Sequence, residues 1–403
     1  MVTALPALHD PAAYAHGFPH ERFRELREHD PVSHHEHPAW ERGYWAVVRH
    51  ADVQQVSRDS ATFHNAPDPF LPADDAMDQG DPPPLMISLD DPEHLKLRKL
   101  INRGFTPKRV AALTDRLQAR VDSIIDALAD QRSCDLVNDV ALWLPLHVIA
   151  DLVGVPEADR RQVFEWTELT FGFDASVTPQ ERADAALAMY AYADGLCESR
   201  RDAPQDDLLS VLLHAEVDGE RLTQFQIDLF FMLLQNAGSE TTRNLITSGT
   251  LALLEHPDQL ERLRADRSLL PVAIEELLRF VTPVIQFTRT AQVDTVVGGQ
   301  RIAAGERVLM VYSSANRDAD AFVEPDQVEV TRQPNDHVAF GAGGPHFCLG
   351  ASLARLEARV MFDAILSRLE GLEVAADPTE LPRVHSNLID GFAHLPIAWS
   401  ALR

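Results

Sequence analysis

The stretch Phe340-Gly341-Ala342-Gly343-Gly344-Pro345-His346-Phe347-Cys348-Leu349-Gly350 limits what this chain can become more than any other part of it. It is a glycine-rich turn that delivers one cysteine to the start of an amphipathic segment running from about Leu349 to Glu370. A thiolate at a helix N-terminus is stabilised by the helix dipole and by backbone N–H groups with no partner inside the helix. The small residues ahead of Cys348 let those N–H groups turn toward the sulfur, as a metal-bound thiolate requires. A lone cysteine is most often a small core hydrophobe. The surrounding Phe-Gly-x-Gly and His-x-Cys-x-Gly pattern argues for a ligand instead.

A second constraint lies in Thr223 to Glu255. Thr223 and Gln226 have capping-box spacing and no proline intervenes before Pro257, which predicts a helix of unusual length. Ile227, Phe230, Phe231 and Leu234 recur at helical spacing, as in any buried helix. The anomaly is Asn236-Ala237-Gly238-Ser239-Glu240-Thr241-Thr242 in its middle. A glycine there costs about 1 kcal/mol relative to alanine, and a glutamate inside an apolar helix is expensive unless paired. Local departures from regular helix often mark functional sites. Further on, Glu276 and Arg279 share a helix face at i, i+3. Asp91 and Pro92 read as an N-cap and first helical residue, with His94 and Arg98 on one face of the helix that follows.

Together these elements resemble the cytochrome P450 family, from about Pro31 to Ile397. The resemblance implies that Cys348 is the axial ligand of a haem b (iron protoporphyrin IX), in a loop that Gly350 closes. It implies that Ala237 and Gly238 leave room for dioxygen, that Thr241 holds a hydrogen-bond network to it, and that Glu240 relays protons from solvent. His94, Arg98, Arg289 and His346 match the family's contacts to the haem propionates. Glu276, Arg279 and Arg332 match its structural charge network, which serves folding and haem retention. The loop from Phe340 to Cys348 is one residue longer than the commonest family spacing, because Gly344-Pro345 replaces a single position. Members with Gly-Gly-Pro-His here, and with Thr-Thr-Arg-Asn as at Thr241–Asn244, often act on steroids, branched lipids or terpenoids.

The implied reaction inserts one oxygen atom from O2 into a C–H bond of a hydrophobic small molecule. Pocket walls are expected from Asn65–Met86, Phe164–Phe173, Phe231–Thr241, Val284–Phe287 and Leu388–Phe392, rich in Phe, Leu, Val and Ile. No flavin or nicotinamide fingerprint occurs, so electrons are expected from a separate ferredoxin and its NAD(P)H-fed reductase. From His94 to Thr114 there is no acidic residue, yet Lys96, Arg98, Lys99, Arg103, Lys108 and Arg109 occur, a basic island suited to an acidic ferredoxin. Two alternatives stand beside this reading. A peroxide-driven haem-thiolate enzyme would lack the Glu240–Thr241 pair, and the same pair disfavours a non-catalytic haem sensor or ligand-binding protein.

The formal charge of −26 argues against a nucleic-acid-binding surface. Cys134, Cys197 and Cys348 are widely spaced, which suits a reducing compartment. The N-terminus has no basic region followed by an apolar run. Leu142 to Val155 is apolar but contains Pro145, His147 and Asp151, too short and polar to span a bilayer. A cytoplasmic protein without membrane insertion is expected. At 403 residues the chain exceeds the usual single-core size of about 250–300. Yet no linker or repeat divides it, so one domain over 1–403 is expected, a helix-rich body with a small strand-rich lobe.

The chain order supports that picture. A strand pair is expected around Pro31–Ser33 and Tyr44–Arg49, then an irregular acidic loop over Asn65–Pro84 carrying Asp68, Asp74, Asp75, Asp78 and Asp81. Helical patterns follow from Pro92 to about Arg279. Short strands and turns are expected over Thr288–Val311 and again over Asn387–Ile397. The whole reads as a mainly α-helical α+β fold, with a long central helix over the haem and small β-sheets.

Overall fold

Thr223 and Gln226 do form a reciprocal capping box, and the helix they start, Gln224–Glu255, runs 32 residues. At 1.5 Å per residue it is about 48 Å long, and most of its residues are buried. The computed structural model describes residues 7–72, 85–102, 104–171, 177–217 and 219–403. Within them this central helix packs against Trp143–Val153, Leu270–Val281 and Ala351–Arg368. Its backbone stays α-helical through Asn236–Thr242, so the expected departure from regular helix is absent. Gly238 has a packing reason: a Cβ there would lie 2.6 Å from Ile149 Cδ1. The glycine lets helix Trp143–Val153 approach the central helix, and the two bury Ile149, Phe230, Phe231 and Ile246 in one apolar core.

The principal sheet has five strands: β1 (Val32–His37), β2 (Trp40–Val47), β3 (Phe63–His64), β4 (Gln286–Ala291) and β5 (Arg307–Val311), in the order β1-β2-β5-β4-β3. β5 runs parallel to β2 and antiparallel to β4, with Val308 opposite Arg289. The β4–β5 pairing therefore fixes where Arg289 leaves the sheet. Val32, Val47, Phe63, Val308 and Met310 form the core of this lobe. With the helices around it, the chain has the mainly helical α+β arrangement read from the sequence.

Three local expectations need correction. Helix Glu93–Ile101 begins at Glu93 with Pro92 as its cap residue, and the Asp91 carboxylate does not cap it; Asp90 carries the first turn, its carbonyl accepting from His94 N at 2.9 Å. Asn387–Ile397 is mostly irregular, contributing the Val284–Ile389 and Arg383–Phe392 bridges and only the start of strand Pro396–Ala398. The apolar run also extends further back than expected. Leu136–Val153 has a mean hydropathy of 1.5, long and apolar enough to cross a bilayer, but 67% of it is buried in the fold. Of the acidic loop, Asp74, Asp75, Asp78 and Asp81 lie outside the described residues.

Candidate active site

The cysteine loop depends on glycine where the backbone turns left-handed, with φ of +88°, +95° and +84° at Gly341, Gly343 and Gly344. Helix His50–Arg58 pins it: Ser57 Oγ donates to Gly343 O at 2.9 Å and Arg58 Nε to Ala342 O at 3.0 Å. A Cβ at Gly344 would fall 2.4 Å from Ser57 O, so the contact excludes any side chain. Cys348 N donates to Phe340 O at 2.9 Å, closing the loop just before helix Ala351–Arg368. The thiol is accessible through the cavity that Cys348 lines. Burial pushes its pKa up, while the N–H groups of Gly350 and Ala351 and the nearby cations Arg98 and Arg355 pull it down. These are the donors a thiolate needs.

Cations converge on the same cavity. The His94 and His346 rings stack with centroids 3.9 Å apart. His94 is buried, its Nδ1 lacks a hydrogen-bond partner, and the nearest carboxylate, Asp91, is 3.6 Å away. Burial, then His94, Arg289 and Arg98, press the His346 pKa down to about 2, so its ring is neutral. Arg98 donates to the Phe347 carbonyl inside the cysteine loop. Arg289 is 4% exposed and donates to Thr288 O at 2.7 Å. Neither arginine forms a salt bridge among the described residues, though Asp90 acts on Arg289 from further off and Tyr312 bonds it. A buried guanidinium with no carboxylate in salt-bridge reach, as at Arg289, is costly, and half-buried Arg98 adds a second positive charge, so this wall suits an anionic group.

The central helix forms the opposite wall, lining the cavity with Ala237, Gly238, Glu240 and Thr241. Thr241 Oγ1 donates to Ala237 O at 2.9 Å, leaving its oxygen lone pairs toward the cavity. Glu240 is 3% exposed and meets Arg243 Nη2 at 2.5 Å. Arg243 Nη1 in turn lies 3.5 Å from Glu168, a half-exposed residue of helix Arg160–Phe171. Burial pushes the Glu240 pKa up to about 7, Glu168 adding to the rise and Arg243 opposing it. A carboxyl that titrates near neutrality is suited to take up and release a proton, and Arg243 and Glu168 tune it by their charges without carrying the proton themselves.

The cavity holds about 540 Å³. Phe70, Met86, Phe171, Leu233, Val284, Phe287 and Leu388 line it, one or more from each expected wall, and Ile87, Phe105, Ile149 and Phe230 add to them. Sequence reasoning missed the roles of Arg243, Glu168, Asn236 and Glu357. The signal for Arg243 was present, three residues after Glu240. Glu357, on helix Ala351–Arg368, is buried with Oε2 unpartnered, and burial raises its pKa to about 8.

Away from the cavity, Glu276 and Arg279 form a fully buried bidentate pair at 2.8 Å, and Arg332 Nε joins Glu276 at 2.9 Å. The three residues expected to associate are in contact.

A family model for cytochrome P450 matches residues 181–387. The chain is 39% identical over 381 residues to the steroid C26-monooxygenase of Rhodococcus jostii, covering 92% of this chain and 80% of that protein. It is 41% identical over 366 residues to the methyl-branched lipid omega-hydroxylase of Mycobacterium bovis, covering 89% and 84%. Among solved structures, cytochrome P450 CYP268A2 of Mycobacterium marinum in complex with pseudoionone superposes with a TM-score of 0.85, at 35% identity, over 94% of each chain. The cavity's residues fit a haem: a thiol under helix N–H groups for the iron, and unpaired Arg98 and Arg289 with the orphaned His94 Nδ1 for two carboxylates.

Proposed function

This chain belongs to the cytochrome P450 family of haem-thiolate monooxygenases, and from that premise we propose that it oxidises a steroid or methyl-branched lipid, with Cys348 as the axial ligand of haem b. The observation that carries the assignment is the Cys348 thiol facing the cavity beneath the Gly350 and Ala351 N–H groups, with unpaired cations around it. When bound, the haem supplies reductive activation of dioxygen and transfer of one oxygen atom into a C–H bond. The residues do the rest. Gly350 and Ala351 hold the sulfur as thiolate; Arg98, Arg289, His94 and His346 receive the propionates. Thr241 Oγ1, its own hydrogen held by Ala237 O, turns acceptor lone pairs to the cavity, and Glu240 is the carboxyl that gives up and regains a proton there, its proton affinity set by Arg243 and Glu168. A proton source aimed at the cavity supports dioxygen-driven over peroxide-driven chemistry.

The substrate class rests on the apolar lining together with the relatives, which are named for steroids and methyl-branched lipids. The electron donor is a separate ferredoxin with its reductase, docking on the helix that carries Arg98. Lys96 on that helix and Arg109 on the following helix Pro107–Ala112 already meet Glu220 and Asp206, at 3.2 and 3.4 Å, and Arg103 lies outside the described residues. Lys99 and Lys108 are the exposed cations left for docking. Free thiols at Cys134, Cys197 and Cys348 support a cytoplasmic location, and the anchoring of the cysteine loop to helix His50–Arg58 of the strand-rich lobe supports one domain over 1–403.

Cys348→Ser tests the assignment. The reduced carbon monoxide complex of the wild type should show the red-shifted band of a thiolate-ligated haem, and the variant should lose it. A band that survives in the variant overturns Cys348 as the ligand.

A further inference from the structure

Asn236 precedes Ala237 on the central helix and is exposed to the cavity. Leu233 and Leu234, one turn back, and Phe230 beyond them make that stripe of the wall apolar. Among the described residues its carboxamide has no hydrogen-bond partner. Of the other polar groups lining the cavity, His94 Nδ1 and Glu357 Oε2 are unpartnered but buried, and several more are already engaged. Thr241 Oγ1 donates to Ala237 O, Ser386 Oγ accepts from the backbone N–H groups of Leu388 and Ile389, and Asn65 Nδ2 donates to Ile87 O. The Asn65 carbonyl oxygen is unpartnered too, but it is buried where a ligand does not reach. Asn236 therefore offers a free donor and a free acceptor on a hydrocarbon wall.

A ligand that covers Asn236 with hydrocarbon strips water from the amide and returns nothing, whereas one that places an oxygen there replaces the lost hydrogen bond. The nearest ionisable neighbour on the same face is Glu240, one turn on, which disfavours an anionic ligand group at this point. We propose that Asn236 determines specificity, selecting hydrophobic substrates that carry an uncharged oxygen function, a carbonyl or a hydroxyl, which its carboxamide binds. The proposal rests on the monooxygenase reading above and narrows its substrate class.

The test uses the haem-loaded full chain and spectral titration, in which ligand binding displaces water from the iron and shifts its spin state. Two matched pairs serve as probes: pseudoionone and androst-4-ene-3,17-dione, each against the hydrocarbon with CH2 in place of C=O. The wild type should bind at least one ketone roughly 5- to 100-fold more tightly than its hydrocarbon. Asn236→Leu should bring that ratio to about 1 without weakening the hydrocarbon, and Asn236→Gln should keep a preference above about threefold. An equal ratio in wild type and Asn236→Leu overturns the proposal, and so does a wild type that discriminates in neither pair, a lack of any shift included. Should the leucine variant fail to fold, loss of the preference in Asn236→Gln would overturn it as well. The carbon monoxide spectrum separates the two failures: a normal red-shifted band keeps the haem-thiolate reading while the Asn236 proposal falls, and a missing wild-type band sinks that reading itself.

Discussion

Glu240–Arg243 and Glu276–Arg279 are the same device in sequence: a buried glutamate three residues before an arginine on a helix. Their surroundings make them opposites. Glu276 accepts from Arg279 Nε and Nη2, Arg332 Nε, Glu329 N and Asn335 Nδ2, so both its oxygens are saturated. Arg279 is equally committed, donating onward to the carbonyls of Asn316, Pro325 and Gln327. Glu240 meets Arg243 alone among the described residues, while Arg243 Nε is buried without a partner. Spacing makes the pair; the number of donors around the carboxylate decides what it does. A saturated carboxylate locks distant segments together, and an unsaturated one stays ready to take up a proton.

The largest effect expected from breaking this contrast is at the saturated pair. Glu276→Gln removes the charge that Arg279 and Arg332 share, leaving buried guanidinium groups uncompensated, at a cost of about 3–5 kcal/mol. The segments tied there include Pro325–Arg332, which leads into the cysteine loop, so the variant should be both unstable and haem-poor. Urea unfolding and the haem-to-polypeptide ratio measure the two effects. A fully loaded variant of wild-type stability would reduce the cluster to an ordinary ion pair.

At the unsaturated pair the expected loss is in function and in pH response. The folded pKa of Glu240 is about 7, against about 4.3 for an unfolded glutamate. Across that window the folded state holds a proton that the unfolded state has released. Glu240's contribution is therefore fully present below about pH 4.3 and lost as pH rises through about 7, on the order of 4 kcal/mol in all. Glu240→Gln should flatten this slope between pH 5 and 8, keep its haem, and form product about a hundredfold more slowly. Stability measured against pH, beside product per NADH, checks both. A variant with the wild-type slope would show that Glu240 does not titrate there.

What could be read from the sequence follows the same division. The cysteine loop was legible because its chemistry is local: glycines at left-handed positions and a cysteine at a helix start sit within one short stretch. Glu276, Arg279 and Arg332 were legible through the resemblance, since a bare Glu-x-x-Arg spacing cannot say how many donors will gather round it. The Glu168–Arg243 contact was not, because only tertiary packing brings helix Arg160–Phe171 over the central helix. Glu357 was hidden for a related reason. In Leu356-Glu357-Ala358-Arg359 an acid reads as a solvent-facing residue, and the structure turns it inward with an unpartnered oxygen. Pro92 misled in the other direction, since a proline near a helix start is equally at home as first residue or as cap.

The smallest effect, and the sharpest test of the contrast, lies at Glu168. Its charge raises the Glu240 pKa and also draws on Arg243, whose Nη1 it meets at 3.5 Å. Glu168→Gln removes the repulsion and frees Arg243 to serve Glu240 more fully. Both consequences favour the ionised form of Glu240, so the pH midpoint of coupled product formation should move down. Stability at neutral pH should change by no more than about 1 kcal/mol, because the Glu168 side chain is 37% exposed and its pairing is partly screened. A midpoint that stays put or rises would mean that Arg243, not Glu168, sets the Glu240 environment.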